Sequence, residues 1–217
     1  VIFYDYWRSS SAWRVRIALH WKDIPFERRA VNLLKDEQHE PAFRALNPQA
    51  QVPVLIVDEG GQPHALAQSL AILAYLEERF PSPPLLPAEP WLRARARQMA
   101  EAVNSGIQPF QNLALTERLR AAGLPDVPAW VQDCIRRGVD ALERLAQDTA
   151  GTFLVGDGPT WADLYLVPQL FGARRFGVDL APYPTLTRVE AACAALPPFQ
   201  AAHPDAQTDA VPSGSKT

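Results

Sequence analysis

Apolar residues recur along this chain in two rhythms, and the change between them falls near residue 80. Before that point short apolar runs alternate with helical patterns. Ile2 to Tyr6 reads as a strand, and the segment after it sets Trp13, Ile17, Ala18 and Trp21 on one side of a helix. Lys22-Asp23-Ile24-Pro25 reads as a turn and Phe26 to Leu33 as a second strand, which together predict a right-handed parallel βαβ unit. A short helical piece at Pro41 to Leu46 stops at Asn47-Pro48, because proline disfavours helical geometry in the residue before it. Val54 to Val57 is a compact strand. Asp58-Glu59-Gly60-Gly61-Gln62 is a hairpin signal, and Ala65-Leu66-Ala67 returns antiparallel. Gln68 and Ser69 then open a helix carrying Leu70, Leu73, Ala74 and Leu76. The order β-α-β-α-β-β-α over residues 1–80 describes a thioredoxin-like domain, an α/β layer structure.

Residues 81–90 hold five prolines and no periodicity, and read as a linker. Residues 91–217 read as an all-α domain, a helical bundle. A long helix runs from Trp91 toward Ser105, with Gly106 and Pro109 perturbing its end, and a second spans Ala129 to Thr149. Thr160-Trp161-Ala162-Asp163 has the form of a capping box and starts a third, toward Phe176. A fourth follows Pro182 and Pro184, from Thr185 to Leu196. From Pro197 the chain turns polar and proline-rich, and the last ten or so residues are expected to be mobile.

Bulk properties narrow the function classes. A chain of 217 residues with net charge -3 has no basic excess for nucleic acid. Its two cysteines, Cys134 and Cys193, lack metal-ligand spacing, so neither a disulfide scaffold nor a metal site is expected, and a reducing compartment fits better. No charged-then-apolar leader opens the sequence and no apolar run approaches the roughly 18 residues of a membrane span. A soluble cytoplasmic protein is the expectation.

The candidate chemistry starts at Ser9, Ser10 and Ser11, between the first strand and the first helix. A helix N-terminus gathers unpaired N–H groups and positive potential, which suits an anion or a thiolate. The plainer reading is that one serine caps the helix and the others are solvated. Gln68-Ser69 repeats the arrangement at another helix start, with the same two readings. Asp163 suits capping, and Asp157 is read as structural. Trp7, Trp13, Trp21, Trp130 and Trp161 are read as core or wall, and Arg14 and Arg16 as structural or solvent-facing.

Taken together, the chain resembles the cytosolic glutathione transferases, and most of all their zeta class, the maleylacetoacetate isomerases. The markers are RSSSAWRVRIAL from Arg8, NLLKD from Asn32, ALNPQAQVP from Ala45, QSLAI from Gln68, GIQPFQN from Gly106, VGD from Val155, ADLYLVPQ from Ala162 and RRFGVDLAPYP from Arg174. Each is weak alone; their order and spacing across residues 2–205 carry the resemblance. One departure stands out. The family's usual run is Ser-Ser-Cys-Ser, where this chain has Ser9-Ser10-Ser11-Ala12.

The resemblance implies glutathione as cofactor, a small dicarboxylic substrate and a homodimer, with no nucleic acid or membrane partner. It implies a cis bond at Val52-Pro53 that presents the Val52 backbone to the ligand, and Gln68-Ser69 at its γ-glutamyl carboxylate. Gln38, Gln51, Gln108 and Asn112 match positions lining the same site. Ser9, then Ser10, is the implied donor to the thiolate, with Ser11 as a polar neighbour unable to form a mixed disulfide. Arg8 and Arg175 are the implied cations for substrate carboxylates; for either, the plainer reading is a surface salt bridge. The implied activity is glutathione-dependent cis–trans isomerisation of maleylacetoacetate to fumarylacetoacetate, in tyrosine and phenylalanine catabolism. Alternatives are maleylpyruvate isomerisation, chemistry on α-halo acids, and a non-catalytic interaction protein of the same fold. Gln108, Leu113 and Ala114 stand where the maleylpyruvate enzymes prefer histidine and arginines, which favours maleylacetoacetate.

Overall fold

Strand β1, Ile2–Asp5, leads through a short loop into helix α1, Ser10–Trp21, and strand β2 follows at Glu27–Ala30. Helix α2 spans Pro41–Leu46, β3 Val54–Glu59, β4 Gln62–Ala67 and α3 Ser69–Arg79, the expected order of elements. The computed structural model describes residues 1–211. Its sheet runs β2-β1-β3-β4, with β1 parallel to β2 and antiparallel to β3. Gly60 and Gly61 take φ of 64° and 79°, which the two-residue turn between β3 and β4 demands and other residues resist.

β2 is shorter than its alternation suggests. Asn32 Oδ1 accepts from the Leu34 N–H at 3.0 Å, and Glu37 Oε2 accepts from the Asn32 N–H at 2.6 Å. These side chains offer the backbone partners outside the ladder, so the chain leaves the sheet after Ala30.

α1 departs further from its pattern. An amphipathic stripe was expected, yet every residue from Ala12 to Leu19 is buried, Arg14 and Arg16 completely so. The solvent-facing alternative for these arginines is therefore corrected. α1 packs against α3 and against a short helix α9, Pro197–Ala202, whose Phe199 and Ala202 are buried. Residues 196–211 thus belong with Val1–Pro84, and the second unit is Leu85–Ala195 rather than everything after residue 90. Two apolar side chains in a proline-rich stretch give too little periodicity to announce this. The mobility expected of the last residues concerns mainly 212–217, which lie outside the described residues; before them Asp209 is ion-paired with Arg28 at 2.7 Å.

The second unit contains α4 (Pro90–Asn104), α5 (Leu113–Ala121), α6 (Val127–Ala146), α7 (Trp161–Arg175) and α8 (Pro184–Ala194). The linker reading fails at its middle: Leu85 is buried and its carbonyl accepts from the Trp161 N–H at 3.0 Å. α5 had no sequence signal, since Thr116 is its one buried residue and Leu113 faces water. α7 is buried all along Trp161–Leu170 and packs on α4 and α8. At its start the expected capping box is present between Thr160 and Asp163.

Candidate active site

Ser9 takes an extended conformation, φ -68° and ψ 118°, and its Oγ accepts from the Ala12 N–H at 3.3 Å. The capping reading is therefore observed. It uses a lone pair of the oxygen and leaves the hydroxyl proton to donate elsewhere, so capping and thiolate binding are compatible. Ser10 and Ser11 fill the first two helical positions, all three serines being half-buried. The loop before them is tight: the Ser9 N–H donates to the Tyr6 carbonyl at 2.9 Å, and Arg16 Nη2 donates to the Trp7 carbonyl at 2.8 Å. Arg8 lies over the Trp7 ring, 5.3 Å from its centroid.

A second helix start lies in the same unit. Gln68, at φ 70°, precedes α3, and its Nε2 donates to Gln49 Oε1 at 2.6 Å. Ser69 is buried, and its Oγ accepts from Arg14 Nη1 at 3.3 Å. Arg14 on α1 thus sets its guanidinium against Ser69, the first residue of α3.

In the same unit, Val52-Pro53 is cis. Asn47, buried, organises the approach to it by donating from Nδ2 to the Gln51 carbonyl at 2.7 Å and accepting from the Gln49 N–H at 3.1 Å. Gln51 itself is exposed, while Gln38 is half-buried and donates to Asp36 at 3.2 Å. A cavity of about 270 Å³ opens near the C-terminal ends of β1 and β2, walled in part by Tyr6, Trp7, Asn32 and Asp209. Two helix N-termini and a cis-proline edge in one unit suit a flexible ligand with an anion at either end and a peptide backbone between, which is the chemistry of glutathione.

Three expected site residues lie on the helical unit. Gln108 is half-buried in a short turn, Asn112 Oδ1 caps α5 through the Ala114 N–H at 2.9 Å, and Arg175 is exposed at the end of α7. Its neighbour Arg174 is committed elsewhere, with both terminal nitrogens on Glu190 at 2.6 and 2.5 Å. Sequence reasoning missed Asn47 as part of the site's frame and left Arg14 and Arg16 between a structural and a solvent-facing role; the signal for the arginines was their place in an otherwise apolar helical run.

Cys134 and Cys193 are both buried, and burial pushes the Cys193 thiol far up. Thiol-blocking reagents are expected to inactivate the protein slowly, and rapid loss of activity at sub-stoichiometric reagent would contradict that placement. Among the described residues no cluster suited to a metal ion occurs, and no helix is long and apolar enough to cross a membrane.

A thioredoxin-like unit with a serine-capped α1, joined to a helical unit, defines a glutathione-transferase architecture. Residues 8–79 match the family model of the glutathione S-transferase N-terminal domain, and residues 91–206 that of the C-terminal domain. A maleylacetoacetate isomerase of Rattus norvegicus is 46% identical over 210 residues, covering 96% of this chain and 94% of the relative. The crystal structure of maleylacetoacetate isomerase from Anaeromyxobacter dehalogenans, with glutathione in its active site, is 57% identical with a TM-score of 0.90, covering 97% of each chain. A bacterial zeta-class maleylpyruvate isomerase is 44% identical with a TM-score of 0.91, covering 97% of this chain and 100% of the other. The chain belongs to the glutathione S-transferase family, in the zeta class of the maleylacetoacetate isomerases.

Proposed function

We propose that this protein isomerises maleylacetoacetate to fumarylacetoacetate with glutathione as cofactor, as a cytoplasmic homodimer serving tyrosine and phenylalanine catabolism. The observation that carries the reading is the Ser9-capped N-terminus of α1 in a chain 57% identical to a maleylacetoacetate isomerase with bound glutathione. Bound glutathione supplies the chemistry: its thiolate adds reversibly to the cis double bond, the resulting single bond rotates, and loss of the thiolate leaves the trans isomer.

The chain's own residues set the charge balance. The Ser9 hydroxyl is far too weak a base to take the thiol proton, but by donating to sulfur it stabilises the charged form, and the N-terminus of α1 adds its field. Lowering a thiol from its usual 8.5 by one or two units asks for about 1.4 kcal/mol each, which one charge-assisted hydrogen bond and a helix terminus can supply. Gln68 and Ser69 serve the γ-glutamyl carboxylate, while Val52, Gln51 and Gln38 serve the peptide portion. Ser10 and Ser11 keep the sulfur's surroundings polar. Arg8 and Arg175 serve the substrate's carboxylates, since a guanidinium holds a carboxylate in two places and stays charged at every working pH.

Arg175→Ala is expected to raise the KM for dicarboxylic substrates by about tenfold with glutathione affinity nearly unchanged, the signature of one lost ion pair to substrate. A parallel loss of both would remove Arg175 from the substrate side. Assays of maleylacetoacetate and maleylpyruvate side by side, with glutathione present and absent, test the whole reading. Faster turnover of maleylpyruvate would move the protein to the other isomerase, and no glutathione-dependent turnover of either would reject the reading.

A further inference from the structure

Behind the serine loop runs a line of four charged side chains that the isomerase reading leaves unused. Arg16 on α1 and Asp5 at the end of β1 are both fully buried, and Nη1 of the first meets Oδ2 of the second at 2.6 Å. The same guanidinium donates from Nη2 to the Trp7 carbonyl at 2.8 Å and from Nε to the Ala202 carbonyl at 3.1 Å. The other oxygen of Asp5 faces Arg28 Nε at 2.7 Å, and Arg28 Nη1 faces Asp209 Oδ1 at 2.7 Å. Charges alternate along the line, so the four cancel. It starts at a carbonyl two residues before Ser9 and ends on the C-terminal tail.

Stability alone is a poor reason for such a line. Apolar side chains of equal volume often serve a core as well as a buried ion pair, because desolvation offsets the attraction. What charged groups do supply is geometry. A planar guanidinium directs its donors in fixed directions, and Arg16 spends three of them on Asp5, Trp7 and Ala202 at once. The Tyr6–Ser9 loop is consequently held twice, by its own Ser9-to-Tyr6 bond and by Arg16 on Trp7.

The geometry points to Asp209 as a positioning residue for the thiolate site: through Arg28, Asp5 and Arg16 it fixes the Trp7 carbonyl and so the aim of the Ser9 hydroxyl. This rests on the reading of Ser9 as the sulfur's donor. Arg28 is the weak joint, its side chain 15% exposed against complete burial for Asp5 and Arg16. With Asp209 in place, Arg28 is held from both ends. Without it, the Arg28 head is free to turn toward water, and Asp5 keeps Arg16 as its one cation. Arg16 is then drawn toward an under-compensated carboxylate and away from Trp7. The tail acts at a second point as well, because Asp209 and Val211 wall the same cavity as Tyr6 and Trp7.

The test uses the full chain and the variants Asp209→Asn and Asp209→Glu. Three quantities are read: isomerase kcat and KM, the ultraviolet titration of the glutathione thiolate on the protein, and the thermal unfolding midpoint. Asp209→Asn is expected to lower kcat about fivefold and to raise the pH of thiolate formation by about half a unit, because the sulfur's donor is misaimed. KM for glutathione stays within about twofold, the α3 end of its site being untouched. Asp209→Glu, which retains the charge, is expected to restore most of both losses. A folded Asp209→Asn protein with the wild-type kcat and thiolate titration would overturn the proposal and leave the tail contact as simple support, as would a kcat loss that Asp209→Glu does not repair. Thiolate titration needs no substrate, so a wild-type protein that forms the thiolate but isomerises nothing would sink the isomerase reading while the shift in Asp209→Asn still decides this one.

Discussion

Ser9→Ala is expected to lower isomerase turnover on the order of 100-fold, the scale seen when one preorganised donor to a developing anion is removed. The loss has two parts with different readouts. Removing the bond from the Ala12 N–H to Ser9 Oγ weakens the cap of α1 by about 1 kcal/mol, which appears in denaturant unfolding. Removing the donor to sulfur raises the pH at which glutathione forms its thiolate on the protein, which appears in a thiolate titration. Ser9→Asp separates them. It keeps a capping oxygen but sets a negative charge against the thiolate, so it should be stable and inactive. Ser11→Ala should cost far less turnover than Ser9→Ala; equal losses would mean that the sulfur's donor is not Ser9.

Asp163→Ala carries the largest expected effect on stability. The Asp163 carboxylate is fully buried at the start of α7 and accepts from the Leu154 N–H at 2.9 Å, the Thr160 N–H at 2.7 Å and the Thr160 hydroxyl at 3.0 Å. Alanine strands these donors where water does not reach, at a cost of roughly 4 kcal/mol, a large part of a typical domain's margin. Urea unfolding measures it, and the activity per folded molecule should change little. A midpoint near that of the wild type would mean that other acceptors take over the donors.

The same carboxyl gives the stability a pH dependence of fixed sign. Burial pushes Asp163 up to about 6 against the pull of its hydrogen bonds. Its folded value lies above the roughly 3.9 of an unfolded aspartate, so between those values the native state holds a proton that the unfolded chain has released. This group's contribution is therefore most favourable below about pH 4 and falls by roughly 3 kcal/mol as the pH rises to about 6, then stays level. Asp163→Asn lacks the slope. The stability difference between wild type and Asp163→Asn should decline across that window, and a flat difference would mean that burial does not dominate the carboxyl.

Much of the frame for these expectations is written locally. The change from period 2 to period 3.6, the Gly60-Gly61 turn and the Thr160-to-Asp163 box depend on residues a few positions apart, and each is found where the pattern puts it. That one of the three serines caps α1 is legible for the same reason, and the structure makes it Ser9. Helix α5 was not, because its packing buries one residue and leaves no apolar stripe to read. The tail was not, because its attachment rests on Phe199, Ala202 and Asp209 finding partners nearly the whole chain away.

The sequence by itself determined the order of elements, the turn and cap chemistry, and the serines at a helix start. Tertiary structure alone decided what surrounds them. Whether an arginine in an apolar run faces water or the core depends on whether carboxylates and carbonyls meet it there, and periodicity sees only the face of its own helix. Arg16 found Asp5, Trp7 and Ala202, and Arg14 found Ser69, so two residues read as frame or surface became the buried charges behind both helix N-termini.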